Sequence, residues 1–317
     1  MRTKHLVPRN DDIDFISCLP DDVCSLIVSF LPAKEAVATS TLSKRWRYVY
    51  ASSPSLDFDF SLFPRTRGRK QAFVCFVDCT LELFSGLELR SFRLSMEDYG
   101  GHEPRIEDWV GFAVAHEVQE LEFGLPRGKL SKIPDTVFQC GSLTDMKLRM
   151  ADYAFELPSP VGLKRLRSLE IKSVSLMQKG EFFKQLFENC LSIEEVVIEE
   201  CKIDVLEIDG ERLERLTVCD CHWLSPGWMK VSAPRLRCFN YIGAVAGEHC
   251  LQNLGSLVEV ILNLRAPPSV AYESDEHCLL LLMKLAQMIG NAKVLTLSPW
   301  CIEVKEVCFP KSSEISF

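Results

Sequence analysis

The stretch LERLTVCDCHWL, from Leu213 to Leu224, decides how the chain folds. Cys219, Cys221 and His222 lie within four residues, a composition that fits a metal site, a redox pair or ordinary core packing. The spacing of the apolar residues is L-x-x-L-x-V-x-x-C-x-x-L. Residues two positions apart point to the same face of a strand. The pattern therefore predicts a short strand with one buried face.

The same pattern recurs along most of the chain. Eight further copies are LRSFRL (89–94), VQELEF (118–123), LTDMKL (143–148), LRSLEI (166–171), IEEVVI (193–198), LRCFNY (236–241), LVEVIL (257–262) and AKVLTL (292–297). Most neighbouring copies lie 20 to 29 residues apart. The longest interval, before the last copy, contains HCLLLLMKLAQMIG (277–290), a predicted helix. One such unit cannot bury its apolar face alone, so the copies predict a stacked solenoid with a parallel sheet.

These repeats resemble the leucine-rich repeats of plant F-box proteins, in which asparagine or cysteine turns the chain away from the strand. The resemblance implies that Cys221 and Cys201 are buried turn residues, that Cys219 lies on the concave side and that His222 belongs to the ascending loop. It also implies that outward-facing strand residues line a concave face that binds a target protein. The residues predicted on that face are Glu122, Lys147, Glu170, Val197, Thr217, Asn240, Ile261 and Thr296.

The segment 19–60 predicts a small helical module. Pro20, Asp21 and Asp22 suit a helix start, because proline tolerates the first turn and carboxylates suit the positive end of the helix dipole. Pro32 marks the end of this helix, and further helices are predicted over 33–40 and 42–50. The first helix is apolar on more than one side, and a module of about 40 residues rarely builds an adequate core alone. A partner surface is therefore expected to cover it.

This module closely resembles the F-box in the form common among plant proteins. The match comprises the LP of Leu19 and Pro20, IVSFLPAKEAVATS (27–40) and LSKRWRYVY (42–50), with departures at Cys24 and Tyr50. It implies docking onto a Skp1-type adaptor, and through it onto a cullin and a RING protein. The adaptor-facing residues carried over are Leu19, Pro20, Val23, Ile27, Leu31, Leu42 and Trp46. The alternative for some of them, Trp46 and Ile27 especially, is that they only hold the three helices together.

Composition narrows the choice of partners and compartment. With 36 basic and 44 acidic residues the net charge is -8, which argues against bulk nucleic-acid binding. The basic runs SKRWR (43–47) and RTRGRK (65–70) are interpreted as a solvated helix face and an exposed linker. The N-terminus lacks an apolar secretory region, and the longest apolar run, CLLLLM (278–283), is too short to cross a bilayer. We expect an intracellular protein, cytoplasmic or nuclear, without a membrane or nucleic-acid partner.

Catalysis and metal binding find little support in the sequence. The pairs Glu194/Glu195 and Glu199/Glu200 are predicted to point to opposite sides of a strand, so neither forms a shared acid-base site. Cys75 and Cys79 have helical spacing, but a closed zinc site needs about four ligands, and core packing is favoured for both thiols. We therefore expect no cofactor, no metal and no enzymatic activity.

The predicted fold is α+β overall, with an all-α F-box module followed by an α/β leucine-rich-repeat solenoid. The predicted divisions are a flexible N-terminus (1–14), an F-box (15–60), a linker with a connecting helix (61–84) and the solenoid (85–317). The expected function is the substrate-recognition subunit of an SCF-type ubiquitin ligase. The alternatives are a repeat scaffold with a vestigial F-box and a cysteine-based metal protein. A further hypothesis is that the chain is shortened at its C-terminus and that its last repeat is poorly covered.

Overall fold

The fold is given by a computed structural model. It describes residues 15–31, 33–86, 88–96, 103–125, 133–151, 157–177, 180–265, 283, 285, 287–290 and 292–302. The predictions for 1–14, for most of the helix over 277–290 and for the segment 303–317 lie outside these residues. Within the described part, no helix combines the length and the apolarity needed to cross a bilayer.

Three short helices form the N-terminal module, as predicted. They are α1 (Asp21–Ser29), α2 (Ala33–Thr39) and α3 (Lys44–Ala51). The side chain of Ser43 caps α3 by accepting a hydrogen bond from the Trp46 backbone N–H at 3.3 Å. A small core joins the three helices, made of Cys24, Val28, Ala36, Trp46, Val49 and Tyr50.

The basic run of α3 is only partly a solvated face. Lys44 and Arg47 are exposed, as predicted. Arg45 instead ties α3 to the start of α1, because its Nε donates to Asp21 Oδ1 at 2.6 Å and its guanidinium also donates to the carbonyls of Ser17 and Leu19. The prediction of a solvated basic face is therefore wrong for Arg45.

A parallel sheet runs through the rest of the described chain, which confirms the predicted solenoid. In chain order the strands are β1 (Ser55–Asp59), β2 (Ser91–Ser95), β3 (Glu120–Leu125), β4 (Asp145–Met150), β5 (Ser168–Lys172), β6 (Ser175–Leu176), β7 (Glu195–Glu199), β8 (Lys202–Asp209), β9 (Arg215–Ser232), β10 (Cys238–Ala244), β11 (Glu248–Gln252), β12 (Glu259–Arg265) and β13 (Val294–Leu297). The main sheet has the order β1-β2-β3-β4-β5-β7-β9-β10-β12-β13. Each of the nine predicted copies coincides with one of its strands. The helices α4 (Arg69–Leu83), α5 (Glu103–Ala115), α6 (Asp135–Phe138) and α7 (Glu181–Asn189) lie between strands in the sequence.

The main sheet begins earlier than the predicted solenoid. β1, which the prediction assigned to the F-box, pairs with β2 in parallel from Ser55↔Ser91 to Asp59↔Ser95. Its Phe58 is fully buried and packs edge-on against Phe92, with ring centroids 5.7 Å apart. Segment 55–60 therefore shares the core of the solenoid.

Helix α4 corrects two predictions about the connecting segment. Arg69, placed in an exposed linker, begins α4; its Nη2 donates to the Phe60 carbonyl at 2.7 Å and its guanidinium lies 4.0 Å from the Phe60 ring centroid. Cys75 and Cys79, predicted to pack in the core, are both exposed. The buried face of α4 carries Phe73, Val74, Val77 and Thr80, which turns both thiols toward solvent.

A second, smaller parallel sheet was not predicted. It has the order β6-β8-β9-β11, and β9 belongs to both sheets. The chain bends between the sheets at Glu200 (φ 53°) and Asp220 (φ 49°). The thiols that follow, Cys201 and Cys221, are buried and donate to carbonyls of the preceding repeat, those of Ile171 and Ile198, both at 3.6 Å. His222 is not in a loop as predicted, because it pairs with Lys202 in the second sheet.

His249, on β11, is a buried titratable group of the second sheet. Its ring centroid lies 5.8 Å from that of Tyr241, and neither ring nitrogen has a hydrogen-bond partner among the described residues. Burial lowers the pKa of His249 to about 4.

The shifted His249 predicts acid sensitivity. The unfolded chain binds a proton at this imidazole near pH 6.5, whereas the folded chain does so only near pH 4, so stability is lost as the pH falls through this window. The loss attributable to His249 is about 3 kcal/mol. Urea denaturation at pH 7.5 and pH 4.5 should show it in the parent chain and not in a His249→Phe variant. A His222→Phe variant, altered at an exposed histidine, should keep the parental loss. Equal losses in all three chains would contradict the assignment.

Candidate functional site

The N-terminal module presents a broad apolar surface to solvent. α1 turns Cys24 and Val28 toward the small core, so the opposite side of this apolar helix faces outward. We call this surface the helical face. It comprises large apolar side chains between 39% and 78% exposed, namely Phe15, Ile16, Val23, Leu26, Ile27, Phe30, Leu42 and Tyr48. An exposed apolar patch of this kind marks an interaction site.

The predicted adaptor-facing residues fall into three groups. Val23, Ile27 and Leu42 lie on the helical face, and Pro20 is exposed at the start of α1. Leu19 and Leu31 are partly buried and pack against the small core.

Trp46 is only 5% exposed and lies within that small core. Its position matches the alternative role of holding the helices together. Five residues extend the helical face beyond the predicted set: Phe15, Ile16, Leu26, Phe30 and Tyr48. The continuous apolar run of α1 was the signal for Leu26 and Phe30.

A second candidate surface is a single row of outward-pointing residues across the main sheet, which we call the outer row. The strand register pairs each of the eight predicted concave-face residues with the next, from Glu122↔Lys147 to Ile261↔Thr296. Two further members precede them, Asp57 on β1 and Arg93 on β2. The row thus reads Asp57, Arg93, Glu122, Lys147, Glu170, Val197, Thr217, Asn240, Ile261, Thr296.

Ion pairs occupy the N-terminal half of the outer row. The Arg93 guanidinium contacts Asp57 at 3.0 Å, Asp59 at 3.4 Å and Glu122 at 2.9 Å. Burial opposes the charge of Arg93, but its hydrogen bonds and its attraction to Glu122 and Asp57 outweigh burial and raise its pKa. Lys147 pairs with Glu170 at 3.2 Å.

Removing the charge of Arg93 should destabilise the chain. Arg93→Leu would leave three carboxylates without their shared cation, at an expected cost of about 1–2 kcal/mol, discounted because these side chains are partly exposed. Urea denaturation at low ionic strength measures this cost. Arg90→Leu, which removes a more exposed ion pair to Glu120, serves as the matched control and should cost less. An Arg93→Leu chain as stable as the control variant would contradict this role.

The prediction that adjacent glutamates point to opposite sides of a strand is wrong for Glu199 and Glu200. Glu199 and Glu200 both reach Lys172, with oxygen to Nζ distances of 2.6 and 3.2 Å. They converge because Glu200 has already left the strand with a positive φ, so the alternation of strand side chains no longer applies. The result is an ion-paired cluster at the sheet rim. In the other glutamate pair, Glu195 contacts Arg215 at 3.0 Å.

The described residues contain no cluster of side chains that could hold a metal ion. No three side chains of the metal-binding types converge among them. Cys219 is half-buried on the outward side of β9, Cys221 points into the core and His222 lies exposed in the second sheet. The three residues that suggested a metal therefore face different surroundings.

Both domains of the chain match known protein families. A family model described as the At1g61320/AtMIF1 LRR domain matches residues 80–307, and the F-box domain matches residues 16–49. F-box/LRR-repeat protein At4g14103 of Arabidopsis thaliana is 32% identical over 260 residues, which cover 80% of this chain and 68% of that protein. F-box/LRR-repeat protein At3g59200 of the same plant is 31% identical over 324 residues, which cover 93% of this chain and 61% of that protein. The chain thus spans about two thirds of the length of these relatives. It belongs to the family of F-box/LRR-repeat proteins.

Proposed function

We propose that this chain is the substrate-recognition subunit of an SCF-type ubiquitin ligase. In this proposal the helical face binds a Skp1-type adaptor, and the outer row binds a target protein. The adaptor connects the chain to a cullin and a RING protein, and ubiquitin transfer takes place on those other subunits. The chain contributes proximity rather than chemistry.

The observation that carries the proposal is the helical face. A three-helix module that buried all its large apolar side chains would be self-sufficient, but this one leaves Leu26, Leu42 and Tyr48 between 56% and 78% exposed. Burying such side chains against a partner contributes about 1.5–3 kcal/mol each, which is enough for a stable complex when several are buried together. Because the module belongs to the F-box domain, an adaptor of the Skp1 type is the expected partner.

The two surfaces are held in a fixed relation by direct contacts. The Tyr50 hydroxyl on α3 donates to Thr80 Oγ1 on α4 at 3.2 Å. Lys34 Nζ on α2 donates to the Leu62 carbonyl at 3.1 Å, and the Ser85 backbone N–H donates to the Ala51 carbonyl at 2.8 Å. A target on the sheet would therefore be presented at a defined place relative to the adaptor, as ubiquitin transfer by proximity requires.

Reconstitution tests the proposal. The full chain is co-expressed with a Skp1-type adaptor, and purified cullin with its RING protein is then added. We expect the chain and the adaptor to co-purify and to recruit the cullin. Recovery of the adaptor without the cullin would favour the scaffold alternative, and failure to recover any adaptor would overturn the proposal.

A further inference from the structure

A cavity lies where the N-terminal module meets the main sheet. Its volume is about 360 Å³. The end of α1 forms one wall with Ser29, Phe30 and Leu31, and the outward faces of β1 to β4 form the floor. A cavity of this size is at the lower end for ligand sites, so it suits one side chain better than a large ligand.

The floor of the cavity has an excess of negative charge. Asp57, Glu120, Glu122 and Asp145 contribute four carboxylates, against the two cations of Arg93 and Lys147, so the lining carries a net charge of −2. This excess favours a cation and opposes an anion.

Asp145 is the carboxylate best placed to meet that cation. It accepts a hydrogen bond from Thr144 Oγ1 at 2.6 Å, and it attracts Lys147 electrostatically but forms no ion pair within 4.0 Å among the described residues. Arg93 and Lys147, by contrast, already contact Glu122 and Glu170. The two cations of the floor are therefore engaged, while one carboxylate is not.

Glu170 is the last charged residue of the outer row. The remaining members are uncharged: Val197, Thr217, Asn240, Ile261 and Thr296. The next row toward the C-terminal ends of the strands continues with Cys219, Ile242 and Asn263, also uncharged. The face of β9, β10 and β12 in these two rows can therefore bury apolar side chains without leaving a charge unpaired.

The distance between the cavity and the uncharged strands determines how many residues of a bound peptide would separate the side chains that occupy them. Four strand steps separate β4, which carries Asp145, from β10, the middle one of the three uncharged strands, and neighbouring strands lie about 4.8 Å apart, which gives about 19 Å. An extended chain covers that distance in about six residues.

We propose that the outer row binds an extended segment of the target, which places a lysine or arginine side chain in the cavity beside α1. About six residues away, the same segment places an apolar side chain over the uncharged strands β9 to β12. This inference rests on the proposed function, because it names the kind of target that the receptor recognises.

Selection from a random peptide library, displayed on phage and presented to the immobilised full chain, tests this inference. We expect enriched peptides to combine a lysine or arginine with an apolar residue about six positions away. Binding of the best synthetic peptide should weaken about 10-fold or more in an Asp145→Lys variant, since a repulsive charge replaces an attractive one. Glu188→Lys is the matched control, because Glu188 is exposed on helix α7, outside the outer row and the cavity, and this substitution should change the affinity less than 2-fold.

Several outcomes would overturn the inference. They are the enrichment of peptides without a basic residue, equal peptide binding by the parent and Asp145→Lys chains, and the absence of any enriched peptide. Adaptor binding is measured on the same preparations. A chain that binds the adaptor but fails the peptide criteria refutes only this inference, whereas a chain that fails to bind the adaptor refutes the proposed function.

Discussion

Replacing both Ile27 and Leu42 by aspartate is expected to weaken binding of a Skp1-type adaptor by about 100-fold or more. Full burial of an exposed side chain of this size contributes about 1.5–3 kcal/mol, so the exposed fractions of the pair account for about 1.5–3 kcal/mol together, and the desolvation cost of the two new carboxylates brings the loss to about 3 kcal/mol or more. Ile27 and Leu42 are 39% and 63% exposed in the chain, so polar replacements there should leave its fold intact.

Isothermal titration of the purified adaptor into each chain measures this effect, with the thermal melt of each variant recorded beside it. Leu191→Asp is the matched control, since Leu191 is 70% exposed but lies two residues after the end of α7, outside the helical face. It should leave the adaptor affinity unchanged. Parental affinity in a folded Ile27→Asp, Leu42→Asp chain would show that the adaptor does not use the helical face.

Replacing Phe58 by alanine is expected to lower the free energy of unfolding of the solenoid by about 3–5 kcal/mol. The ring is fully buried, and its centroid lies 6.0 Å from that of Phe76 and 5.7 Å from that of Phe92. Its removal opens a cavity between β1, α4 and β2, where the module adjoins the sheet. The substitution therefore tests whether β1 belongs to the solenoid.

Urea denaturation followed by far-ultraviolet circular dichroism reports the stability of the sheet. Ser55→Ala changes the same strand at a half-buried, outward position and serves as the control, with an expected change below about 0.5 kcal/mol. If β1 were only part of the F-box, Phe58→Ala would leave the main unfolding transition in place. That result would restore the boundary predicted at residue 60.

The repeat pattern predicted most of the main sheet because core-facing residues alternate with outward ones in every copy. The pattern did not predict β1, because Ser53 occupies the position at which the other copies begin with an apolar residue. Ser53 is nevertheless buried. The second sheet was not predicted for another reason. The chain after Cys201 and Cys221 continues as strand, and nothing in the local spacing distinguishes that strand from an irregular ascending segment.

The candidate surfaces were predictable to different degrees. Alternation alone located eight members of the outer row, and the same rule applied to LRSFRL would have added Arg93. Asp57 could be placed only once β1 was recognised. The cavity beside α1 depends on how the end of a helix meets four strands, a tertiary arrangement that no local pattern encodes. Burial of Trp46, likewise, follows from the packing of three helices rather than from its position in the F-box motif.

The most direct test of the account is hydrogen–deuterium exchange of the full chain with and without a Skp1-type adaptor. Buried backbone amides exchange more slowly, so the exchange pattern locates the interface. We predict that the adaptor slows exchange within residues 15–31 and 33–51 and leaves strands β2 to β13 unchanged. Unchanged exchange in the helices, or protection confined to the main sheet, would contradict the assignment of the helical face as the adaptor site.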